Sequence, residues 1–171
     1  MNRIKIWPPG SGGWTRRAAS LTLLFGIVMG LFALNGCSTF SSSVKLKSVT
    51  LDVVSQANDD TPIAVDFAVV NDAELLKLLQ SLPAGKWFEQ RDQFLRDYPL
   101  TLKIWSHELV PSQHVEVAKV PIAGESAVGL LVFAGYAGPG AHRLNLGVRK
   151  TAWLRFESKD VRLVEDAEAA K

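Results

Sequence analysis

The sequence predicts a mainly β protein, a sandwich of six or seven strands interrupted by one helical hairpin. Two patterns carry that prediction. Apolar and polar residues alternate in several short runs bounded by turn residues, and between the second and third runs the apolar spacing changes from two to three and four. A third observation sets the β region apart: residues 18–34, AASLTLLFGIVMGLFAL, carry no charge and lead to the chain's one cysteine, Cys37.

The amino-terminal run follows Arg16-Arg17 and ends in the small-residue stretch Asn35-Gly36-Cys37-Ser38. A positive flank, an apolar stretch and a small residue before a break are the parts of a signal peptide, predicted here over residues 1–36. Leu34-Asn35-Gly36-Cys37 resembles the lipobox of bacterial lipoproteins, in which the cysteine is acylated and becomes residue one. One acyl chain anchors marginally and several anchor stably, which gives a lone cysteine a use at this position. An uncleaved anchor with an unmodified Cys37 is the alternative. Ser38 is the next residue, where bacterial lipoproteins carry aspartate for inner-membrane retention, so the expectation is an outer-membrane lipoprotein whose domain faces the periplasm. Arg16-Arg17 also leaves twin-arginine export open, although the rest of that motif is absent.

Residues 37–43 then read as a lipidated, Ser-rich flexible tether, and residues 44–164 as the folded domain. Residues 44–54 place Val44 and Leu46 in one phase and Val49, Leu51 and Val53 in the other, a strand with a bulge or bend near Ser48. The polar connection 56–62, QANDDTP, is a turn. Ile63, Val65, Phe67 and Val69 alternate with Ala64, Asp66 and Ala68, a half-buried strand.

Asn71 and Glu74 have capping-box spacing, and Leu75, Leu76, Leu79 and Leu82 continue at helical spacing. Trp87, Phe88, Phe94, Leu95 and Tyr98 form the stripe of a second helix, stopped by Pro99. The helical insertion thus occupies about 72–98. Core packing is the favoured use of this stripe over partner binding. Glu89, Arg91, Asp92 and Arg96 read as its solvated face.

The remaining strands are predicted at 100–110, 115–122, 127–136, 143–149 and 152–164, the last with a break near Ser158. Residues 128–133 are apolar on both faces and should lie centrally, whereas 143–149 should have one wet face. Residues 165–171 form a charged tail.

Apolar residues make up 47% of the chain and charged residues 21%, which excludes a disordered or collagen-like protein. The net charge of +2 belongs to the leader: residues 1–36 hold Arg3, Lys5, Arg16 and Arg17 and no acid. From Cys37 onward 15 basic residues face 17 acidic ones, a net charge of −2, so a nucleic-acid partner is not expected. A single cysteine excludes an internal disulfide and a Cys-based zinc site. His114 and Glu116 share one face of a strand and could supply two metal ligands, but no third is evident from spacing. His107-Glu108 and His142-Arg143 lie beside turns. No nucleophile elbow, phosphate loop or His-Glu-x-x-His is present, so neither an enzyme nor a cofactor is expected. The candidate binding site is the loop Ala57, Asn58, Asp59, Asp60 and Thr61, whose acids would favour a basic partner; on residues alone a plain solvated turn is the favoured alternative.

In this order the elements resemble the lipoprotein of the type VI secretion membrane complex, the TssJ or SciN family. The resemblance rests on the lipobox, a first strand leading through an Asn-containing loop into Thr61-Pro62-Ile63-Ala64-Val65, and a helical insertion after the second strand. Val110-Pro111-Ser112-Gln113 stands at the family's apolar-Pro-Gly-Glu turn, with Ser112-Gln113 in place of Gly-Glu, and residues 128–136 match its apolar strand ending in an aromatic. The resemblance implies a transthyretin-like β-sandwich with added helices, tethered to the outer membrane. It implies binding to the periplasmic part of the inner-membrane protein TssM through the first loop, which maps onto Ala57 to Thr61. A periplasm-facing lipoprotein that binds a small ligand or maintains the envelope is the alternative.

Overall fold

The computed structural model describes residues 42–164; Cys37, Ser38, the apolar run 18–34 and the tail 165–171 lie outside the described residues. The strands are β1 (Ser48–Val53), β2 (Ile63–Val70), β3 (Leu102–Leu109), β4 (His114–Val117), β5 (Gly129–Ala134), β6 (Arg143–Asn145), β7 (Thr151–Phe156) and β8 (Val161–Leu163). Two helices, α1 (Ala73–Ser81) and α2 (Ala84–Asp97), separate β2 from β3. The strands form two four-stranded sheets, ordered β4-β1-β7-β8 and β3-β2-β5-β6. All neighbours are antiparallel except β1 and β7, which run parallel from Ser48↔Thr151 to Val53↔Phe156. The fold is a β-sandwich with the helical pair on one outer face.

Two apolar layers hold it together. Between the sheets, Leu51, Val53, Phe67, Val132, Leu154 and Phe156 are buried. On the outer face of the second sheet, Ala68, Val70, Leu131 and Phe133 are covered by Leu75, Leu79 and Trp87 of the helices. The doubly apolar run predicted as central is β5, which lies between β2 and β6 with both faces covered. Its small residues let the helices approach: Gly129 lies beneath Leu76, and Gly135 just after the strand lies beneath Phe88.

Several boundaries differ from the alternation. Residues 44–47 bury Val44 and Leu46, but their backbone bonds to loops, with Val44 N–H on Glu125 O and Lys47 N–H on Lys150 O. Pairing begins at Ser48, where the apolar phase shifts. The strand predicted at 115–122 ends at Val117, because Val120 and Ile122 are buried in an irregular segment. The strand predicted at 143–149 ends at Asn145, and Val148 stands in a turn, 77% exposed. The break near Ser158 is the turn between β7 and β8.

The cap of α1 is Asp72, whose Oδ1 accepts from Leu75 N–H at 2.8 Å, whereas Asn71 is still engaged with Thr101 O. The strand read as half-buried is covered on both sides: Asp66 is only 1% exposed. Its carboxylate accepts from Trp87 Nε1 at 2.9 Å, Ser106 Oγ at 2.6 Å and Arg91 Nη1 at 3.3 Å. Arg91, assigned from sequence to a solvated face, is therefore the cation of a buried acid. The period-two pattern located this strand correctly but could not reveal that helices cover its polar side. Trp87 stacks on Phe133 at 4.6 Å and on Phe94 at 5.9 Å, so the aromatic stripe packs the helices onto the sheet.

Strand directions sort the connections to two ends. The β1–β2, β3–β4, β5–β6 and β7–β8 loops share one end. The lead-in 42–47, the 118–128 connection and the 146–150 turn share the other.

Candidate partner-binding site

The β1–β2 connection contains a short turn, Ala57–Asp60, in which Asn58, Asp59 and Asp60 all have positive φ, at 50°, 52° and 59°. Left-handed backbone costs an L-residue on the order of 1–2 kcal/mol, least for Asn and Asp, whose side chains bond locally. The sequence supplies those residue types here. Asn58 is buried and holds the turn: Nδ2 donates to Thr61 Oγ1 at 2.7 Å and to Pro62 O at 3.0 Å, and Oδ1 accepts from Ala137 N–H at 2.7 Å. Its backbone N–H donates to Ser158 O at 2.9 Å. One asparagine thus joins the β1–β2, β5–β6 and β7–β8 loops.

A second knot lies beside it. Tyr136 Oη is 2.9 Å from both Glu157 O and Asp160 O, its one proton shared between them. Burial, with the Asp160 and Glu157 charges adding, pushes the phenol far above its ordinary value, so it remains a donor. His142 is buried against the Tyr136 ring, with Nδ1 2.9 Å from Asp160 Oδ1 and Nε2 3.1 Å from Gly138 O. Both ring nitrogens face oxygen atoms, so the ring is held at both edges. Gly140 packs directly on that ring, leaving no room for a Cβ. His142 had a bland reading from sequence, and Tyr136, Asp160 and Ser158 none as site residues, because their partners are distant along the chain, from 18 residues for His142 and Asp160 to 100 for Ser158 and Asn58.

The five predicted loop residues therefore divide. Ala57 and Asn58 point inward and fix the turn. Asp59, Asp60 and Thr61 are exposed. A cleft of about 350 Å³ opens beside them, lined by Asp59, Tyr136, Pro139 and Lys159 among others. The loops at this end hold four acids, Asp59, Asp60, Glu157 and Asp160, against one base, Lys159.

His114 and Glu116 do share a face of edge strand β4, with Nε2 3.3 Å from the carboxylate and Asp52 3.6 Å from Nδ1. Their hydrogen bonding, led by Glu116, raises the His114 pKa. Among the described residues no group of three or more His, Cys, Asp or Glu is placed to hold a metal ion.

No protein-family model matches the chain, and no curated protein sequence matches it. Solved structures do. A chain of a type VI membrane complex is 14% identical, with a TM-score of 0.54 over 70% of this chain and 99% of that one. The type VI secretion lipoprotein TssJ1 from Pseudomonas aeruginosa is 14% identical, with a TM-score of 0.51 over 68% of this chain and 92% of that one. The fold is TssJ-like. A chain in the structure of the type VI secretion protein TssM C-terminal domain from EAEC is similar too, at 13% identity and a TM-score of 0.52 over 70% of this chain and 97% of that one. At these identities the TssJ-like likeness is one of architecture, and individual side chains stand on their own geometry.

Proposed function

We propose that the chain is a lipid-anchored outer-membrane component of a type VI secretion membrane complex, binding the periplasmic part of a TssM-like inner-membrane protein. The observation that carries this reading is a TssJ-like fold whose β1–β2 turn is rigidly held and presents Asp59 and Asp60. In this reading residues 1–36 are removed as a signal peptide, Cys37 is acylated, Ser38 permits outer-membrane sorting, and residues 37–43 are the tether. The protein is a bridge rather than an enzyme and needs no cofactor. Acyl chains hold one end while the loop end captures a protein that crosses the other membrane. Joining two modest contacts raises effective concentration, and a pre-ordered turn loses little entropy on binding.

The test is calorimetric titration of the acylated protein in detergent with the periplasmic part of the TssM-like protein from the same organism, at low and high salt. Saturable binding that weakens with salt supports the reading, and no binding at either salt rejects it.

The small-ligand alternative draws on the cleft beside the turn, whose volume of about 350 Å³ falls at the low end for ligand sites. A ligand there would touch Asp59 and compete with the protein partner.

A further inference from the structure

We propose that the end of the sandwich opposite the acidic loops is a docking surface for anionic lipid headgroups of the bilayer that holds the anchor, with Val148 and Val128 reaching its interface. The inference rests on the anchoring of Cys37 proposed above. Five residue steps separate Cys37 from Ser42, and a fully extended chain spans at most about 3.6 Å per residue, so an acylated Cys37 keeps this end within about 18 Å of the bilayer. The tether enters the fold here: Ser42 O accepts from Ala127 N–H at 2.9 Å, and Ser43 pairs with Ser126.

Two exposed valines stand at that entry. Val148, 77% exposed, tips the 146–150 turn, and Val128 is 42% exposed; both line one crevice with Ser42 and Ser43. Neither packs on the core, although each belongs to a residue type that is normally inside.

Charge points the same way. The segments 42–47, 118–128 and 146–150 carry five bases, Lys45, Lys47, Lys119, Arg149 and Lys150, and one acid, Glu125, which Lys103 engages at 2.6 Å. Lys45 and Lys47 alternate with buried Val44 and Leu46, and so project outward together. Backbone bonds from Lys47 N–H to Lys150 O and from Val120 N–H to Lys47 O bring Lys150 and Lys119 beside them. These three segments are therefore basic where the tether begins, with Asp72 after β2 engaged as a helix cap, and the β1–β2 and β7–β8 loops are acidic where the partner is proposed to bind. A lysine near an anionic surface contributes about a fivefold gain in association, so a cluster of this size holds a tethered domain against the membrane and aims its acidic loops away from it.

The experiment uses the full chain, processed and acylated in cells, with Val148→Cys carrying an environment-sensitive fluorophore. An acylated Cys37 leaves that thiol as the free one. The protein is reconstituted in vesicles of phosphatidylethanolamine with one-fifth phosphatidylglycerol, and in vesicles with phosphatidylcholine replacing the anionic lipid. The expected result is a blue shift in anionic vesicles that is reduced in neutral ones, lost with Lys45→Glu, Lys47→Glu and Lys150→Glu together, and absent for a probe at Ser158→Cys on the far end. A position-148 probe as polar as the position-158 probe, or a shift indifferent to the triple substitution, overturns the docking surface while leaving the anchor intact. Failure of the anchor is read separately, as protein without acyl mass at Cys37 that does not float with vesicles, and it overturns both.

Discussion

Trp87 donates its indole N–H to the buried carboxylate of Asp66 at 2.9 Å, so one ring both caps an acid and stacks on Phe133. This contact joins α2 to β2 and explains how a central strand carries a charge under a layer of helices. A hydrogen bond to a charged group contributes roughly 1.5–3 kcal/mol, and leaving a buried charge short of a partner is costly. Trp87→Phe keeps a stacking ring and removes the donor. Urea unfolding should show a loss of about 2 kcal/mol, with a smaller loss when Asp66→Asn is already present.

Ser112 sits at φ 64° in the turn between β3 and β4, where the resembled family has glycine. Left-handed backbone is free of steric cost for glycine. Ser112→Gly should therefore stabilise the protein by about 1 kcal/mol, measured by the urea midpoint at unchanged slope.

Asn58 is also left-handed, but there the side chain outweighs the strain. Asn58→Gly relieves φ and still abolishes the side-chain bonds to Thr61, Pro62 and Ala137. The expected outcome is a net loss of about 1–3 kcal/mol and faster amide exchange at Ala137. Opposite signs at positions 112 and 58 would establish that one turn is held by backbone fit and the other by side-chain bonding.

His107 lies partly buried against Trp105, its Nε2 shielded without a hydrogen-bond partner, and burial lowers its pKa from 6.5. The unfolded chain then takes up this proton before the folded one does. Its contribution to stability is complete above about pH 6.5 and is lost as pH falls through the lower folded value. Thermal melts from pH 7.5 to 5 should decline less steeply in His107→Leu than in the parent.

The strands, the hairpin and their order were legible because alternation and helical spacing are local properties. The outward side of β2 was not. Ala64, Asp66 and Ala68 give the same pattern facing water as facing helices, and only the position of α2 decides that Asp66 is buried and Arg91 is its partner. The candidate loop was legible in part: Asn58, Asp59 and Asp60 are the residue types that a left-handed turn accepts. That Asn58 faces inward depends on Ala137 and Ser158, whose approach no local pattern encodes. Tyr136 and His142 escaped for the same reason.

Cys37→Ser should leave the domain folded and able to bind its partner, while the protein no longer fractionates with outer membranes. Retention at the inner membrane through residues 18–34 would instead mean an uncleaved anchor.

Partner affinity after neutralising the turn tests the bridge at its binding end. Asp59→Asn with Asp60→Asn removes two charges and keeps side chains that tolerate the left-handed backbone. The melting temperature should be unchanged and binding to the periplasmic part of the TssM-like protein about tenfold weaker, with a shallower salt dependence. Full affinity in the double variant would contradict this role of the turn.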